Sequence, residues 1–471
     1  MSKEIKGVFW SAADHFSVQG VSFIISIIVA RLVEPEAYGV LVMAQVFMSF
    51  AQIFIDSGFK EALIQKKDRT EIDYNTVFHF NLAISILLYI ILFFAAPYIA
   101  QFYNEPILTT LTRVVSLSLV FSSLSLTQLV RLQVNLDFKT LAKARLFATI
   151  ISGVVGIICA YKGLQVWALV IQSVLAFALT SLFLMLISKW IPKAQFSIVS
   201  FKQLFSFGSK LLFTYFITAA YLQFTNLFIG KVYSAKDLAY YNRGFNTSYI
   251  IPGSFISVIG RIAYPLFCEN QNNFDSLRFN YRKYMRMEVI LIFPLMILMA
   301  VLSSQIIDIL LTHKWAEAAI YLSIFCMVYI TQPILDTSRK LILAVGRADV
   351  TAKVTFYTRF MTFGILFATI YINPLAVALG SILNNLVESL IAFICVKKTA
   401  GFSIRGQIKD ISDILLASII AGITAYILAL FSSNVYVSFI LGFAGGLLSY
   451  IILMFVMRME ERHILLKIIK K

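Results

Sequence analysis

The chain has 471 residues, of which 59% are hydrophobic and 14% are charged, and its mean hydropathy is +0.84. Soluble chains are about 45–50% apolar and about 25% charged, so this composition excludes a soluble globular protein. The formal net charge is +16, but the basic residues lie between apolar runs. This placement favours membrane topology over nucleic acid as the reason for the charge, and we expect no nucleic acid partner.

The apolar runs are long and continuous, as in AISILLYIILFFAAPYIA at residues 83–100 and EVILIFPLMILMAVL at residues 288–302. Within lipid, backbone polar groups must find partners inside the protein, which only helices and closed barrels provide. Barrel strands would instead show alternating segments of about 10 residues. The sequence therefore predicts an all-α integral membrane protein.

A membrane-spanning helix needs roughly 20 apolar residues, and the sequence contains fourteen such segments joined by short connections. In chain order, the predicted spans cover residues 9–31, 38–58, 75–101, 108–130, 143–162, 165–188, 207–231, 241–265, 286–311, 317–338, 351–373, 375–397, 411–432 and 435–457.

The basic residues give an independent check of this count. With the N-terminus in the cytoplasm, the cytoplasmic connections contain 30 of the 40 Lys and Arg residues, the opposite side contains six, and the spans contain four. Membrane proteins enrich their cytoplasmic loops in Lys and Arg. Because one omitted or added span would invert every later loop, the ratio predicts fourteen spans with both termini cytoplasmic.

Two stretches suggest an internal repeat. VARLVEPEAYGVLVMA at residues 29–44 and IGKVYSAKDLAYYNRG at residues 229–244 each close one span and open the next, and they align without gaps at an offset of 200. Spans one to six would then repeat as spans seven to twelve in the same orientation, as in transporters built from parallel repeats. We predict an N-terminal lobe over residues 1–200, a C-terminal lobe over residues 201–400, and two extra helices with a cytoplasmic tail over residues 401–471.

Polar side chains form stripes along four of these spans. At helical spacing, the stripes consist of Ser11, His15, Gln19, Ser22 and Ser26 in span one; Gln45, Ser49, Gln52, Asp56 and Lys60 in span two; Ser206, Lys210, Thr214, Thr218, Tyr221 and Thr225 in span seven; and Asn242, Asn246, Tyr249, Gly253, Ser257 and Arg261 in span eight. Serine and threonine in such stripes are also typical of hydrogen bonds between helices, and that interpretation remains open for them.

Ionisable side chains within a span are more informative, because a charge at the bilayer centre costs on the order of 2.5–3.5 kcal/mol and usually marks a substrate or ion path. The residues of this kind are Asp14, His15, Asp56, Lys210 and Arg261. Span ten carries Asp336 and Arg339 three positions apart, and we expect these two to pair with each other. Glu388 in span twelve is likewise interpreted as structural.

Motifs of soluble chemistry are missing from the sequence. The four cysteines, Cys159, Cys268, Cys326 and Cys395, are far apart and match neither a metal site nor a disulfide framework. The sequence has no histidine pair for a metal, no Walker loop and no nucleophile elbow. We therefore expect a protein that is not an enzyme and has no metal and no cofactor, and we expect no cleavable signal peptide.

The chain resembles the Wzx-type flippases and related polysaccharide exporters of the multidrug/oligosaccharidyl-lipid/polysaccharide exporter superfamily. The resemblance covers residues from about 1 to 400, and it is carried by the order and spacing of several stretches rather than by one motif. These stretches are ARLVEPEAYGV from Ala30, DSGFKEALIQKKDRT from Asp56, NTVFHFNLAISILL from Asn75, GLQVWALVIQ from Gly163, HKWAEA from His313 and AVGRADV from Ala344.

This resemblance implies two six-helix lobes arranged in a V, with helices one, two, seven and eight lining a central cavity. It also implies a cargo, an oligosaccharide repeat unit of O-antigen, capsule or exopolysaccharide on undecaprenyl pyrophosphate, which is turned from the cytoplasmic to the periplasmic leaflet of the bacterial inner membrane. Similar family members often carry an aspartate before the asparagine of span seven, whereas this chain has Thr225 before Asn226. A role of that acid therefore does not transfer to this chain.

Such a cargo needs cations for its diphosphate, because an unpaired phosphate is too costly in a medium of low dielectric constant. We expect alternating access of the two lobes, with the following roles for the polar residues. The predicted pyrophosphate-binding residues are Arg261, Lys210, Lys60, Arg31 and Arg243; the predicted glycan-binding residues are Gln19, Gln45, Gln52, Asn246 and Thr218; and the predicted groups that couple transport to H⁺ or Na⁺ are Asp14, His15 and Asp56.

Two other functions compete with this one. A multidrug or small-molecule cation antiporter of similar architecture would favour an acidic and aromatic cavity, whereas the cations of the striped helices favour an anion. A polysaccharide polymerase or membrane glycosyltransferase would need a large outer loop or a catalytic carboxylate loop, and the connections here are short. The expected partners are the lipid-linked oligosaccharide, membrane lipids, and the polymerase and glycosyltransferases of the same pathway.

Overall fold

The structure, a computed structural model, describes residues 3–461 except 57, 67 and 189. Within that range the side chains of residues 3–15, 207, 210, 211, 213–215, 217, 218, 221, 222 and 261 are not described. Every regular element in the described part of the chain is helical, as the composition predicted.

The helices follow one another with short connections, and one 3-10 turn over His313–Trp315 precedes α13. Their bounds are α1 Lys3–Leu32, α2 Pro35–Asp56, α3 Phe59–Gln65, α4 Glu71–Tyr103, α5 Leu108–Val115, α6 Leu117–Val134, α7 Phe138–Tyr161, α8 Val166–Ser188, α9 Ile198–Val232, α10 Ala235–Glu269, α11 Phe274–Val301, α12 Ser303–Leu311, α13 Ala318–Tyr329, α14 Gln332–Ala344, α15 Ala348–Thr369, α16 Pro374–Ala400, α17 Ile404–Ala429 and α18 Val435–Val456.

Helices lie at all fourteen predicted positions, but three predicted spans are each divided into two helices. The divided spans are the fourth (α5 and α6), the ninth (α11 and α12) and the tenth (α13 and α14). In the fourth span the break lies at Ser116, where the hydroxyl groups of Ser116 and Ser118 donate to the carbonyl oxygens of Arg113 and Val115 at 3.2 and 2.7 Å. Such side-chain bonds compete with the helical ladder, which explains the break.

Eleven helical segments in the described part of the chain are long and apolar enough to cross a membrane, and a shorter apolar stretch covers Phe16–Leu32. The chain is therefore a multi-span membrane protein. Helices α9 and α15, at the seventh and eleventh predicted spans, are not among the eleven. The count of fourteen spans thus remains a prediction.

The predicted repeat is visible in the positions of the helix ends. Helix α1 ends at Leu32 and α2 begins at Pro35, while α9 ends at Val232 and α10 begins at Ala235, so both boundaries are offset by 200 residues. The two connecting residues have the same bend and irregular backbone in each copy. The likeness of the two stretches therefore extends from sequence to local structure.

The chain divides into two compact units, and the division falls within α10 after Ala239. Unit 1 covers residues 1–239 and unit 2 covers residues 240–471. Helix α9, assigned by sequence to the second lobe, packs against α2, α3 and α4 within unit 1. The lobe boundaries at residues 200 and 400 remain a prediction.

The polar end of unit 1 is fastened by ion pairs around α4. The guanidinium of Arg131 on α6 donates to Glu71 at 2.6 Å, and the indole nitrogen of Trp190 donates to the other oxygen of that carboxylate at 2.9 Å. Lys66 pairs with the buried Asp73 at 2.9 Å. Part of the positive charge that the predicted topology assigns to the cytoplasmic side is therefore used in holding α4, α6 and the α8–α9 connection together.

Unit 2 has an apolar core formed by α10, α11, α14, α16, α17 and α18, and one buried arginine joins three of its segments. Arg286 on α11 is 4% exposed. Its guanidinium donates to Asp413 on α17 at 3.0 and 3.2 Å and to Glu461, beyond α18, at 2.6 and 2.9 Å. Arg282, one turn earlier, pairs with Asp410 at 2.8 Å and with Glu460 at 2.6 Å. This charge cluster fixes the last two helices to α11.

Close contact between backbones in unit 1 depends on glycine. A Cβ atom on Gly39 of α2 would overlap the carbonyl oxygen of Ala235, and one on Gly58 would lie 2.6 Å from the carbonyl oxygen of Gly208. Gly58 also has a φ of 68°, which favours glycine. The space between α2 and α9 is filled by the rings of Phe50, Phe216 and Phe224, so the α2–α9 contact is largely apolar.

We expect Gly39→Ala to destabilise unit 1, because the added methyl group has no space beside Ala235 and overpacking typically costs about 1–3 kcal/mol. Gly20→Ala is a matched control, since Gly20 is also helical but has no neighbour within 4 Å. Thermal unfolding of the detergent-solubilised protein, followed by size exclusion, should show a lower midpoint for Gly39→Ala alone. Equal midpoints for both variants would contradict this packing.

We expect Arg286→Gln to destabilise unit 2 by about 1–3 kcal/mol, because it leaves the half-buried carboxylates of Asp413 and Glu461 without their charged hydrogen-bond donor. The matched control is Arg347→Gln, which removes an exposed pair with Asp349 at 3.2 Å that is worth about 0–1 kcal/mol. Chemical denaturation in mild detergent measures both variants. A loss for Arg286→Gln as small as that for Arg347→Gln would exclude a structural role for this cluster.

Candidate functional site

The polar stripe of α2 is joined to α6 through one glutamine. The amide nitrogen of Gln52 donates to Asp56 at 3.1 Å and to the hydroxyl of Ser122 on α6 at 3.1 Å. All three side chains are half-buried. A residue predicted to bind glycan and a residue predicted to couple ions are thus in direct contact, and the amide holds the carboxylate in a fixed position.

The end of α2 brings a cation to the same place. Asp56 is the last residue of α2, Gly58 has a left-handed backbone conformation before α3, and Lys60 lies in the first turn of α3. The half-buried ammonium of Lys60 is close enough to attract the Asp56 carboxylate. The sequence-predicted residues Gln52, Asp56 and Lys60 therefore form one local group, with an anion held between an amide and a cation.

A row of fully buried polar side chains lies between α4 and α6. Ser85 and Ser123 share a hydrogen bond of 2.9 Å, whereas Glu71 and Arg131 pair nearer the other end of α4. These two contacts show that α4 and α6 run antiparallel. Asn81 therefore lies one turn from Ser85, at the level where α6 carries its next polar residues.

Three members of this row have side-chain atoms without a hydrogen-bond partner in the described part of the chain. They are both amide atoms of Asn81, the hydroxyl of Thr127 and both amide atoms of Gln128, and all three residues are 0% exposed. An unsatisfied buried polar group costs about 1–3 kcal/mol, and such groups are normally satisfied by ordered water. We therefore expect ordered water at these side-chain atoms in the interior of unit 1.

Sequence reasoning missed this row, although a signal was present. Asn81 and Ser85, and likewise Ser123 and Thr127, are spaced four apart, the same periodicity that marked spans one and two. These residues carry no charge, so they were not among the ionisable groups predicted to be functional within the spans.

Other predicted site residues lie on exposed or half-buried helix faces. Gln19 and Arg31 on α1 are exposed, Gln45 on α2 is half-buried, and Asn246 on α10 is exposed. The guanidinium of Arg243 lies 4.8 Å from the ring centre of Trp315 in unit 2. Gln19 and Gln45 are not among the residues joined to Asp56 by hydrogen bonds in the described part of unit 1.

Five predicted site residues have side chains outside the described residues. They are Asp14 and His15 on α1, Lys210 and Thr218 on α9, and Arg261 on α10. Only the helices that carry them are described, and their roles remain predictions.

At the end of unit 1 where α1 meets α2, two carboxylates lie near each other. Burial, together with the negative charge of Glu36, raises the pKa of Glu105 in the connection after α4. A second anion would be repelled there. Of the predicted pyrophosphate residues of unit 1, Arg31 is therefore close to this acidic end, while Lys60 lies beside the Asp56 carboxylate.

The expected pair between Asp336 and Arg339 is wrong. The carboxylate of Asp336 instead accepts from the ammonium of Lys340, which is one turn along α14 and lies against Gly260 of α10. Glu288 on α11 is fully buried nearby and accepts from the hydroxyl of Thr337 at 3.1 Å. The spacing of four brings Lys340 onto the face of Asp336, whereas Arg339 points to a different side of the helix.

Comparison with known proteins gives relatives along most of the chain. It is 26% identical over 420 residues to the teichuronic acid biosynthesis protein TuaB of Bacillus subtilis, covering 86% of this chain and 85% of that protein. It is 22% identical to the lipopolysaccharide biosynthesis protein WzxC of Escherichia coli, covering 87% and 84%. It is 20% identical to the succinoglycan biosynthesis transport protein ExoT of Rhizobium meliloti, covering 98% and 94%.

The fold is similar to that of solved transporters. A structure of the lipid II flippase MurJ in an inward closed conformation has a TM-score of 0.80 and 17% identity, covering 97% of this chain and 100% of that one. An inward-facing multidrug resistance MATE transporter of the MOP superfamily has a TM-score of 0.58 and 12% identity, covering 83% and 95%. These likenesses establish the fold.

The family resemblance predicted from the sequence is confirmed by a family match. The pattern of the family described as "Polysaccharide biosynthesis protein" matches residues 28–320, which is more than half of the chain and includes α2, α4, α6 and α9. The chain belongs to this polysaccharide biosynthesis protein family.

Proposed function

We propose that the chain carries a lipid-linked oligosaccharide, an intermediate of O-antigen, capsule or exopolysaccharide, from the cytoplasmic to the periplasmic leaflet of the bacterial inner membrane. The main support is that relatives over more than 80% of the chain are named for polysaccharide biosynthesis or transport, while the fold is that of a lipid flippase. The proposed cargo has a polar head on a long lipid. The protein acts as a transporter and performs no chemical step on its cargo.

The antiporter alternative has weaker support. It rests on the fold, which is shared with multidrug transporters at a lower TM-score than with the lipid II flippase. It has no counterpart among the names of the relatives in polysaccharide biosynthesis. The lysine and arginine residues of the striped helices also favour an anionic cargo over a cationic drug.

In this proposal, cations of the striped helices hold the diphosphate of the cargo. Lys60 has a position beside a polar interior, and Arg261 and Lys210 are nominated from sequence, followed by Arg243 and Arg31. Arginine binds phosphate through two parallel hydrogen bonds and stays charged, whereas lysine acts as a point charge. Gln19, Gln45, Gln52, Asn246 and Thr218 would bind sugar hydroxyls.

We assign ion coupling to the group around Asp56. Its carboxylate lies between the Gln52 amide and the Lys60 cation, beside the buried row of α4 and α6. A carboxylate in that setting can exchange H⁺ or Na⁺ as the cavity changes sides. Asp14 and His15 remain further candidates for the same role, and no other cofactor is proposed.

The remaining parts of the proposal concern topology. Both termini lie in the cytoplasm, two six-helix lobes related by the repeat rock against each other, and α17 and α18 stand beside the lipid tail. The lysine and arginine distribution and the matched turns at Leu32 and Val232 support this arrangement. The polymerase and glycosyltransferases of the same pathway are the proposed partners.

A reconstituted flipping assay tests the proposed function. The protein is placed in proteoliposomes with a fluorescent oligosaccharide on undecaprenyl pyrophosphate, and a glycosidase added outside reports how much cargo changes leaflet. Cargo movement above that of empty liposomes supports the proposal. Movement of a cationic dye but not of the glycolipid would overturn it.

We expect Arg261→Gln to reduce flipping at least tenfold at normal abundance, because the cargo diphosphate would lose a charged hydrogen-bond donor of about 1.5–3 kcal/mol. Arg261→Lys should retain part of the activity, since it keeps the charge. Arg347→Gln, in an exposed connection, is the control. Full activity of Arg261→Gln would remove this residue from the pyrophosphate site.

We expect Asp56→Asn to abolish the response of flipping to imposed pH or sodium gradients, because the amide cannot exchange a proton or balance a cation. Asp349→Asn, which changes an exposed carboxylate, should leave the response unchanged. Rates are compared with and without each gradient in the same proteoliposomes. If Asp56→Asn keeps the native response, coupling does not occur at this carboxylate.

A further inference from the structure

Glu288 on α11 is an acid in the interior of unit 2 to which the proposed function assigns no role. Its side chain is 0% exposed. One carboxylate oxygen, Oε2, accepts from the buried hydroxyl of Thr337 on α14 at 3.1 Å. The other oxygen, Oε1, is buried and has no hydrogen-bond partner among the described residues. Within the described part of the chain, Glu288 is therefore bound by a single neutral donor.

The arginine nearest to Glu288 in the sequence does not neutralise it. Arg286 lies two residues earlier, which on an α-helix is a rotation of about 200° and places the two side chains on nearly opposite faces. The guanidinium of Arg286 is bound to Asp413 at 3.0 Å and to Glu461 at 2.6 Å. Its charge is therefore used on the side of α11 that faces α17.

The charged side chains close to Glu288 belong to α14. They are Asp336 and Lys340, which lie one helical turn apart and pair with each other. The Asp336 carboxylate repels a negative charge on Glu288, and the Lys340 ammonium attracts it. Because this pair is already neutral as a whole, an ionised Glu288 would give the three groups a net negative charge. A proton on Glu288 makes the cluster neutral.

The other helices packed against α11 contribute no further described charge to this cluster. Helices α13 and α18 contain no charged residue. A titratable group near Glu288 on α11 itself is the buried hydroxyl of Tyr281, which donates to Gln407 at 3.2 Å. The acids of the remaining helices in contact with α11 do not act on Glu288; they are Asp308 of α12, Glu388 of α16, and Asp410 and Asp413 of α17.

The Asp336–Lys340 pair lies between Glu288 and the polar stripe of α10. The side chains of Asp336 and Lys340 are 21% and 20% exposed, so the pair is half-buried. Lys340 lies against Gly260 of α10, where a Cβ atom would overlap its ammonium group. Gly260 is one helical turn after Ser257, a member of the polar stripe predicted for that helix. A buried acid is thus joined to a partly exposed one.

We infer that Glu288 is a proton-binding site, which is protonated in the folded protein at neutral pH and exchanges its proton with water through the Asp336 carboxylate. The neutral acid is the buried form because an ionised carboxylate without its own cation is too costly in the protein interior. On release, the O–H bond of Glu288 breaks and an O–H bond forms on Asp336, from which the proton passes to water. The Lys340 ammonium stabilises the negative charge that remains.

A metal cation suits this cluster less well than a proton. Hard cations such as Ca²⁺ take about six to eight oxygen ligands, whereas the hydroxyl that binds Glu288 in the described part of the chain is that of Thr337. The ammonium of Lys340 would also repel a second cation. This site is in unit 2, whereas the Asp56 group is in unit 1, and the inference does not rest on the proposed cargo.

Infrared spectroscopy of the purified full chain in nanodiscs, without cargo, tests the protonation of Glu288. At neutral pH, Glu288→Gln should reduce the C=O stretching band of protonated carboxylic acids by the intensity of a single group. The glutamine oxygen can still accept from Thr337, so the shape of the site is kept. Asp349→Asn, which changes an exposed acid, should leave the band unchanged.

A second variant identifies the same group without removing it. Thr337→Val is close in volume and deletes the hydroxyl that donates to Glu288, so it should move the carboxylic acid band to higher frequency at undiminished intensity. A carboxylic acid band that is unchanged in both Glu288→Gln and Thr337→Val would overturn the inference, because Glu288 would then be ionised. Loss of the native band on addition of sodium at constant pH would overturn it as well, in favour of a metal cation.

Transfer of the protein into D₂O tests the route of exchange, because the band shifts as deuterium replaces the proton. We expect exchange at Glu288 to be at least tenfold slower in Asp336→Asn, since an amide does not take up the proton. Asp349→Asn should exchange at the native rate. A native rate in Asp336→Asn would exclude the route through Asp336, and a native band that never exchanges would make Glu288 a purely structural acid. These spectra need no cargo, so they stand or fall separately from the flipping assay.

Discussion

The need to satisfy polar groups without water governs this protein. Within hydrocarbon, an unpaired backbone or side-chain group costs several kcal/mol, so the chain forms helices and turns its polar side chains toward one another. The guanidinium of Arg286 pairs with two carboxylates, and the amide nitrogen of Gln52 donates to both Asp56 and Ser122. The side-chain amides of Asn81 and Gln128 are buried and have no hydrogen-bond partner among the described residues. Water and ions are expected beside such groups. The same requirement therefore both determines which contacts stabilise the fold and indicates which residues are candidates for function.

Much of the fold follows from sequence because lipid simplifies the problem. Apolar length alone located helices at all the predicted positions, and the matched turns after Leu32 and Val232 were predicted by alignment at a fixed offset. The breaks at Ser116 and Leu302 were not predicted, since hydropathy averages over the few residues at which the helical ladder is interrupted. The assignment of α9 to unit 1 also depends on contacts between distant segments, which no single window of sequence records.

For the candidate sites too, some features could be predicted from the sequence and others could not. Gln52, Asp56 and Lys60 were found from their spacing, because they lie on one stripe of neighbouring turns. The choice of Lys340 over Arg339 as the partner of Asp336 depends on which face of α14 meets α10 and α11. Glu288 opens an apolar run in the sequence, and its burial beside Asp336 is found only when α11 and α14 are placed together. Periodicity along one helix is therefore readable from sequence, whereas pairing between helices is not.

The arginine of α11 has a consequence for biosynthesis. Its carboxylate partner Glu461 lies 175 residues further along the chain. A ribosome makes residues in order, so Arg286 is synthesised long before this counter-charge exists. Until then it must remain near the headgroups or be shielded by the insertion machinery. Unit 2 consequently reaches its final packing only when its last two helices have left the translocon, at the end of translation.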